Sequence, residues 1–354
     1  MALIMEKKKI GGAVIGFGGM GNFHSNKMLE NPDIELIGIY DIDPEADKRA
    51  EAKGIYHFPS REALLADERI DLVTIATPNE VHKEIAVAAL AAGKNVISEK
   101  PVAMNSAELE EMIAASEKYG KLFTVHQNRR WDNDFILAKK IFDENKLGKI
   151  HRIESRVHGS HGIPEGWRSE KFHGGGMVLD WGVHLLDQML TLMRGRKLVS
   201  VYAQLTYITC DECDDGFTAN FVFDDGTRWL VEVETNNFIE LPRWYILGEN
   251  GTAMIRDWDC NGEMVLVHNW EKIDPVPIQA GAGITKTMAP RNEDTIKTIP
   301  LIKPEADWKE YYVNIVKTIR GEETQIVTHD QQRKLVKVME AIFESAQKNE
   351  VIKF

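Results

Sequence analysis

From residue 10 to about residue 127 the chain alternates short apolar runs with stretches whose apolar positions recur at helical spacing. The runs occupy 10–15, 34–39, a weaker 55–58, 72–76, 95–98 and 122–126, and segments such as 81–92 and 106–119 carry the helical period. Strands separated in this way by helices build a parallel sheet covered on both faces, with a ligand crevice at the carboxyl ends of the strands. After about residue 128 the runs lengthen and alternate, and turn signals replace the strand-helix rhythm. The segment 217–223, then Asp224-Asp225-Gly226, then 227–234 predicts an antiparallel hairpin, and 244–247 leads into a turn at Gly248-Glu249-Asn250-Gly251. Helical spacing returns at 308–319 and 331–348, while 273–304, with five prolines, reads as an irregular excursion. The pattern predicts an α/β domain over 1–127 and an α+β domain with a mainly antiparallel open sheet over 128–354, without internal repeats or a low-complexity linker.

The first apolar run ends in Gly16-Phe17-Gly18-Gly19-Met20-Gly21, and Asp41 follows Gly21 by 20 residues at the end of the second run. This is the dinucleotide fingerprint in its strand-to-helix context. The first glycine permits the tight turn, the second lets backbone amides approach a pyrophosphate, and the third allows close helix-on-strand packing. The pyrophosphate then faces a helix N-terminus. An acid at the position of Asp41 accepts hydrogen bonds from an adenosine ribose and repels a 2'-phosphate, which favours NAD over NADP.

Composition narrows the reading further. A net charge of -12 argues against a nucleic-acid partner, which would need clustered Lys and Arg. No apolar run reaches the length of a membrane span, and Met1-Ala2-Leu3-Ile4-Met5 precedes its charges rather than following them as in a secretory signal. Three cysteines give no disulfide framework and suit a reducing cytoplasm. Cys210 and Cys213 have CxxC spacing, but no second pair completes a zinc site, so no metal is expected.

Three segments carry candidate chemistry. Thr77-Pro78-Asn79-Glu80-Val81-His82 follows the strand ending at Ala76, which places Thr77, Pro78 and Asn79 beside the cofactor, although Asn79 also suits a plain helix cap. Glu99-Lys100-Pro101 closes the next strand, and the proline holds Lys100 extended, projecting it into the crevice. Gly174-Gly175-Gly176 lets backbone approach a ligand and leads into a helix on which Asp180, His184 and Asp187 fall at i, i+4 and i+7, so that Asp180 is placed to polarise His184.

In this order and spacing, the glycine loop with Asp41, Thr77-Pro78-Asn79-x-x-His82, Glu99-Lys100-Pro101 and Gly-Gly-Gly-x-x-x-Asp180-x-Gly-x-His184 resemble the glucose-fructose oxidoreductase, inositol dehydrogenase and rhizopine-catabolism (Gfo/Idh/MocA) family over essentially the whole chain. The resemblance implies an N-terminal Rossmann domain, a C-terminal domain that assembles homodimers or homotetramers, tightly held NAD(P), and often a cis peptide before Pro101. It assigns Lys100, Asp180 and His184 as catalytic. Cofactor contacts are then expected from Gly16, Phe17, Gly18, Gly19, Met20, Asp41, Thr77, Pro78, Asn79, His82, Glu99 and Lys100. Gln127-Asn128-Arg129-Arg130-Trp131-Asp132 is similar to the inositol dehydrogenase branch, which tilts the substrate toward polyols or sugars. Substrate contacts are expected from Asn128, Arg129, His158, His161, Trp167 and Arg168.

These residues suit oxidation of a secondary hydroxyl, with either His184 or Lys100 taking the proton while hydride leaves for the nicotinamide. Two other readings share the fold. One is a glycoside-processing enzyme that oxidises, eliminates and returns the hydride to its own NAD, and the other is a non-catalytic sugar or NAD sensor.

Overall fold

The computed structural model describes residues 8–271 and 275–354; the apolar opening segment and the first residues of the proline-rich region lie outside them in part. The N-terminal half contains β1 (Ile10–Ile15), α1 (Gly19–Glu30), β2 (Ile34–Tyr40), α2 (Pro44–Glu51), α3 (Arg61–Ala66), β3 (Leu72–Ile75), α4 (His82–Ala91), β4 (Asn95–Ser98), α5 (Ser106–Tyr119) and β5 (Phe123–Val125). All five strands pair in parallel in the order β2-β1-β3-β4-β5. β1, β3, β4 and β5 are buried at every position, as their continuous apolar runs require. Strand order reverses between β1 and β3, so a crevice opens there at the carboxyl ends. The weak run 55–58 makes no strand of this sheet, only a single bridge between Ile39 and His57.

The second half opens with α6 (Asn133–Asp143) and β6 (Ile150–His158), passes through a short helical stretch to α7 (Val183–Leu192), and continues with β7 (Leu198–Thr206), β8 (Gly216–Phe223), β9 (Arg228–Glu234), β10 (Trp244–Gly248), β11 (Gly251–Ile255) and β12 (Gly262–Val267). The remaining elements are β13 (Ile278–Ala280), β14 (Gly283–Thr285), β15 (Ile296–Pro300), α8 (Glu310–Ile319), α9 (His329–Lys348) and β16 (Ile352–Lys353). A nine-stranded sheet runs β15-β12-β11-β10-β6-β9-β8-β7-β16, antiparallel except where β6 meets β9. Both expected hairpins form, β8 with β9 and β10 with β11. Along β8, Phe217, Ala219, Phe221 and Phe223 are buried while Asn220 and Val222 face outward, the period-two signature of a sheet covered on one face. Helices α6, α7 and α9 supply that cover. The proline-rich region is more ordered than expected: β13 and β14 form a hairpin, and Ile296-Lys297-Thr298-Ile299 alternates well enough to pair with β12 at the sheet edge.

The end of the chain returns to the first sheet. Thr124 donates to the Val327 carbonyl at 3.1 Å, a ring nitrogen of His329 lies 2.9 Å from the Phe123 carbonyl, and Gln127 donates to Gln332 at 3.1 Å. A capping box at Thr328 and Gln331 fixes the start of α9, and Arg333 then clamps Glu110 on α5 at 2.7 Å. No helix among the described residues is long and apolar enough to cross a membrane.

Candidate active site

At the carboxyl ends of β1, β3 and β4 lies a cleft of about 1040 Å³ whose far wall comes from the second half of the chain. One end is lined by Gly16, Gly18, Gly19, Met20 and Asp41, the other by Lys100, Asp180 and His184. Gly16 has φ of +89°, and a Cβ on Gly21 would sit 1.9 Å from the Gly16 carbonyl oxygen, so the turn and the approach of α1 both demand glycine. A Cβ on Gly18 or Gly19 would meet nothing within 4 Å. The loop is thus tight against protein behind and open toward the cleft, which is the shape a pyrophosphate needs at a helix N-terminus. Asp41 accepts from the backbone N–H groups of Phe17 and Asp43, with carboxylate lone pairs left for a ribose diol. The residues present fit a dinucleotide.

At the other end the Lys100 ammonium donates to the Asp180 carboxylate at 2.9 Å and to its carbonyl at 2.8 Å, and Arg168 reaches the second carboxylate oxygen at 3.3 Å. Burial alone would raise the Asp180 carboxyl, but Lys100 and then Arg168 outweigh it and hold Asp180 below its ordinary value. The Lys100–Pro101 peptide is cis, as the resemblance implies. Burial, then the charges of Lys100 and Arg129, push His184 well below its usual value, so its ring is neutral. Its Nδ1 is buried with no hydrogen-bond partner among the described residues, as is the Asn128 Oδ1 beside the same cleft.

Asp180 therefore serves Lys100, not His184 as the helical spacing predicts. Residues Val178–Gly182 form a π-helical turn leading into α7, and both carboxylate oxygens of Asp180 are taken, one by Lys100 and one by Arg168. Asp187 leaves the group as well, pairing with Arg130 at 2.6 and 2.7 Å. The triple glycine also differs from expectation. A Cβ on Gly175 would lie 2.3 Å from the Arg168 carbonyl and one on Gly176 2.3 Å from Asp214, so these glycines admit protein atoms rather than a ligand.

Of the other expected contacts, Thr77, Pro78, Asn79, Glu99, Asn128, Arg129, Trp167 and Arg168 line the cleft. Asn79 does not cap α4; its amide donates to the Gly174 carbonyl at 2.9 Å and ties the two walls together. His82 is buried behind the wall, 3.0 Å from both the Pro101 and the Thr77 carbonyls, and Phe17 is likewise buried off the lining. His158 and His161 do not reach the cleft. His158 turns across the sheet to Glu232 at 2.7 Å because β6 and β9 are neighbours, and His161 sits exposed on the loop beyond.

The sequence reading passed over Trp181, His173 and Glu80, which also line the cleft. The Arg129 guanidinium stacks 4.1 Å over the Trp181 ring and 5.4 Å from Trp258, and Asp132 pins it at 2.9 Å. Arg168 stacks 4.4 Å over Trp167. Aromatic faces beside fixed hydrogen-bond donors suit a ligand with apolar C–H faces and hydroxyl edges. Trp181 was visible between Asp180 and His184; Trp258 carries no local signal, since it arrives from the β11–β12 turn.

Residues 10–127 match the family model described as GFO_IDH_MocA, oxidoreductase family, NAD-binding Rossmann fold, and residues 135–254 match the GFO/IDH/MocA C-terminal domain. The crystal structure of an NAD-binding protein from Listeria innocua is similar at 44% identity and a TM-score of 0.95, over 98% of this chain and 100% of that one. The scyllo-inositol 2-dehydrogenase (NADP(+)) IolW of Bacillus subtilis (strain 168) is 25% identical over 99% of both chains. The D-glucoside 3-dehydrogenase of Escherichia coli (strain K12) is 26% identical over 66% of this chain and 70% of that one.

Proposed function

This chain belongs to the Gfo/Idh/MocA family of NAD-binding oxidoreductases acting on CH–OH groups, and on that premise we propose an NAD-dependent dehydrogenase for a secondary hydroxyl of an inositol-like polyol, sugar or glycoside. The observation that carries the reading is the meeting of the Lys100 ammonium and a neutral His184 at one end of a cleft whose other end fits a dinucleotide. A dinucleotide held there by Gly16, Gly18, Gly19 and Asp41 would supply the hydride acceptor. Lys100, aimed by Asp180, donates a hydrogen bond to the reacting oxygen. His184 takes the hydroxyl proton: neutral at working pH, it is ready to accept, while its burial beside two cations drives the proton onward rather than trapping it. Arg129 and Arg168, each stacked on a tryptophan, orient the remaining hydroxyls. Asp41 supports NAD rather than NADP.

The test is NADH formation across a panel of inositols, hexoses and glycosides, with NAD and NADP, in wild type and His184→Ala. Substrate-dependent NADH formation that the variant sharply slows supports the reading. No turnover of any polyol or sugar, by protein shown to bind NAD, sinks it and favours internal cofactor recycling or sensing.

A further inference from the structure

Behind Lys100 lies a buried cluster that the chemistry above does not use. His24 on α1, Glu99 at the end of β4 and His126 just past β5 are 0%, 5% and 3% exposed. Glu99 Oε1 lies 2.8 Å from His24 Nε2 and 2.7 Å from His126 Nδ1, and its Oε2 accepts the Lys100 backbone N–H at 3.1 Å. Tyr312 on α8 reaches the other ring nitrogen of His24. An ionised carboxylate only accepts, so both rings donate to it, and His24 Nδ1 is left to accept from the Tyr312 hydroxyl.

Burial alone would raise the Glu99 carboxyl, but the charge and hydrogen-bond interactions of His126 and His24 hold it well below its ordinary value. Burial keeps His24 itself below the usual histidine range. Asp180 faces an ammonium and a guanidinium, whereas the hydrogen-bond partners of Glu99 among the described residues are two imidazole rings and one backbone amide. Glu99 lines the cleft; neither His24 nor His126 does. Its place next to Lys100, at the far end from Asp41, is the nicotinamide end under the function proposed above.

Resting on that reading, we infer that His24 and His126 are positioning residues that act through Glu99. They fix the Glu99 carboxylate in the cleft wall with one ring nitrogen each, where it favours the cationic oxidised nicotinamide over the neutral reduced one. The same three side chains are types that ligate cations, with donor atoms within 4.8 Å of one another. Their hydrogen-bond pairing, with Tyr312 on the remaining His24 nitrogen, favours the positioning role.

The experiment measures the dissociation constants of NAD+ and NADH on the full chain without substrate, by calorimetry, before and after EDTA. Glu99→Gln keeps the shape and removes the charge, and should raise Kd(NAD+) about tenfold relative to Kd(NADH), or about 1.4 kcal/mol. His126→Leu should move the ratio the same way. His126→Asn, whose amide donates from the position of Nδ1, should restore it. A merely structural role would weaken both cofactors alike. Parallel changes, an unchanged ratio, or a shift on chelation in wild type would overturn the inference. Wild type binding neither cofactor would overturn the dehydrogenase reading itself.

Discussion

Asp180→Asn separates two routes by which this carboxylate could act. In the structure its partner is Lys100 at 2.9 Å, with the two side chains 16% and 13% exposed. A hydrogen bond between charged groups contributes about 1.5–3 kcal/mol, so losing it should cost roughly 10- to 150-fold in kcat/KM at about 1.4 kcal/mol per decade. The backbone contact of Lys100 at 2.8 Å and the Arg168 contact at 3.3 Å survive the substitution, which places the loss toward the lower end. In a Lys100→Met background the same change should cost less than about twofold, because the partner is already gone. In a His184→Ala background the full penalty should remain. The assay is kcat/KM from NADH absorbance for the four single and double combinations on each side, with thermal melts to confirm folding. A penalty that vanishes in the His184→Ala background and persists in Lys100→Met would refute the geometry and restore a direct Asp180–His184 couple.

Gly21→Ala should abolish measurable NAD binding and lower Tm, since its Cβ would overlap backbone at 1.9 Å, whereas Gly19→Ala, with nothing within 4 Å, should melt like wild type and weaken only the cofactor; melts and calorimetry together check both. Asp41→Ala should raise Kd for NAD about tenfold and shift the NAD:NADP preference toward NADP, read by titrating each cofactor. Burial holds His24, His82 and His184 below the ordinary histidine value of 6.5, so below about pH 6.5 the unfolded chain binds more protons and stability drains away as pH falls. Urea midpoints measured from about pH 7 down to about pH 5 should decline accordingly. Asp214 runs the other way: burial raises it from 3.8 to about 7, so its contribution is lost as pH rises through that value, and Asp214→Asn should stabilise the protein above neutrality. Equal midpoints for Asp214→Asn and wild type on the alkaline side would contradict this.

What was legible in the sequence was local. Gly16 through Gly21 after an unbroken apolar run specifies a strand, a tight turn and a helix without reference to anything distant, and the alternation along 217–234 specifies a one-sided hairpin. Lys100, Asp180 and His184 do meet, but their pairing was not legible. It depends on Lys100 and Arg168 arriving from separate parts of the chain to take both Asp180 oxygens. His158 was expected at the cleft as a polar residue in a segment thought to face it; Glu232, a neighbour only through the β6–β9 pairing, draws it away. Trp258 and the His24–Glu99–His126 cluster are tertiary facts of the same kind. The strand Ile296–Pro300 was masked by the prolines around it, and its own one, Pro300, sits at the end of an edge strand that tolerates it.

The return of the chain's end to β5 bears on how the protein is made. The half that emerges first from the ribosome cannot finish until the last helix is synthesised, because the partners of Phe123, Thr124 and Gln127 lie at and beyond Val327. At roughly 5–20 residues per second, the intervening two hundred or so residues take on the order of ten to forty seconds to appear. Throughout that interval the edge at β5 and the buried ring of His24 await Tyr312 and α9. Until then the nascent Rossmann half carries an uncovered strand edge, the kind of surface through which incomplete chains associate, even though its nucleotide fingerprint is intact.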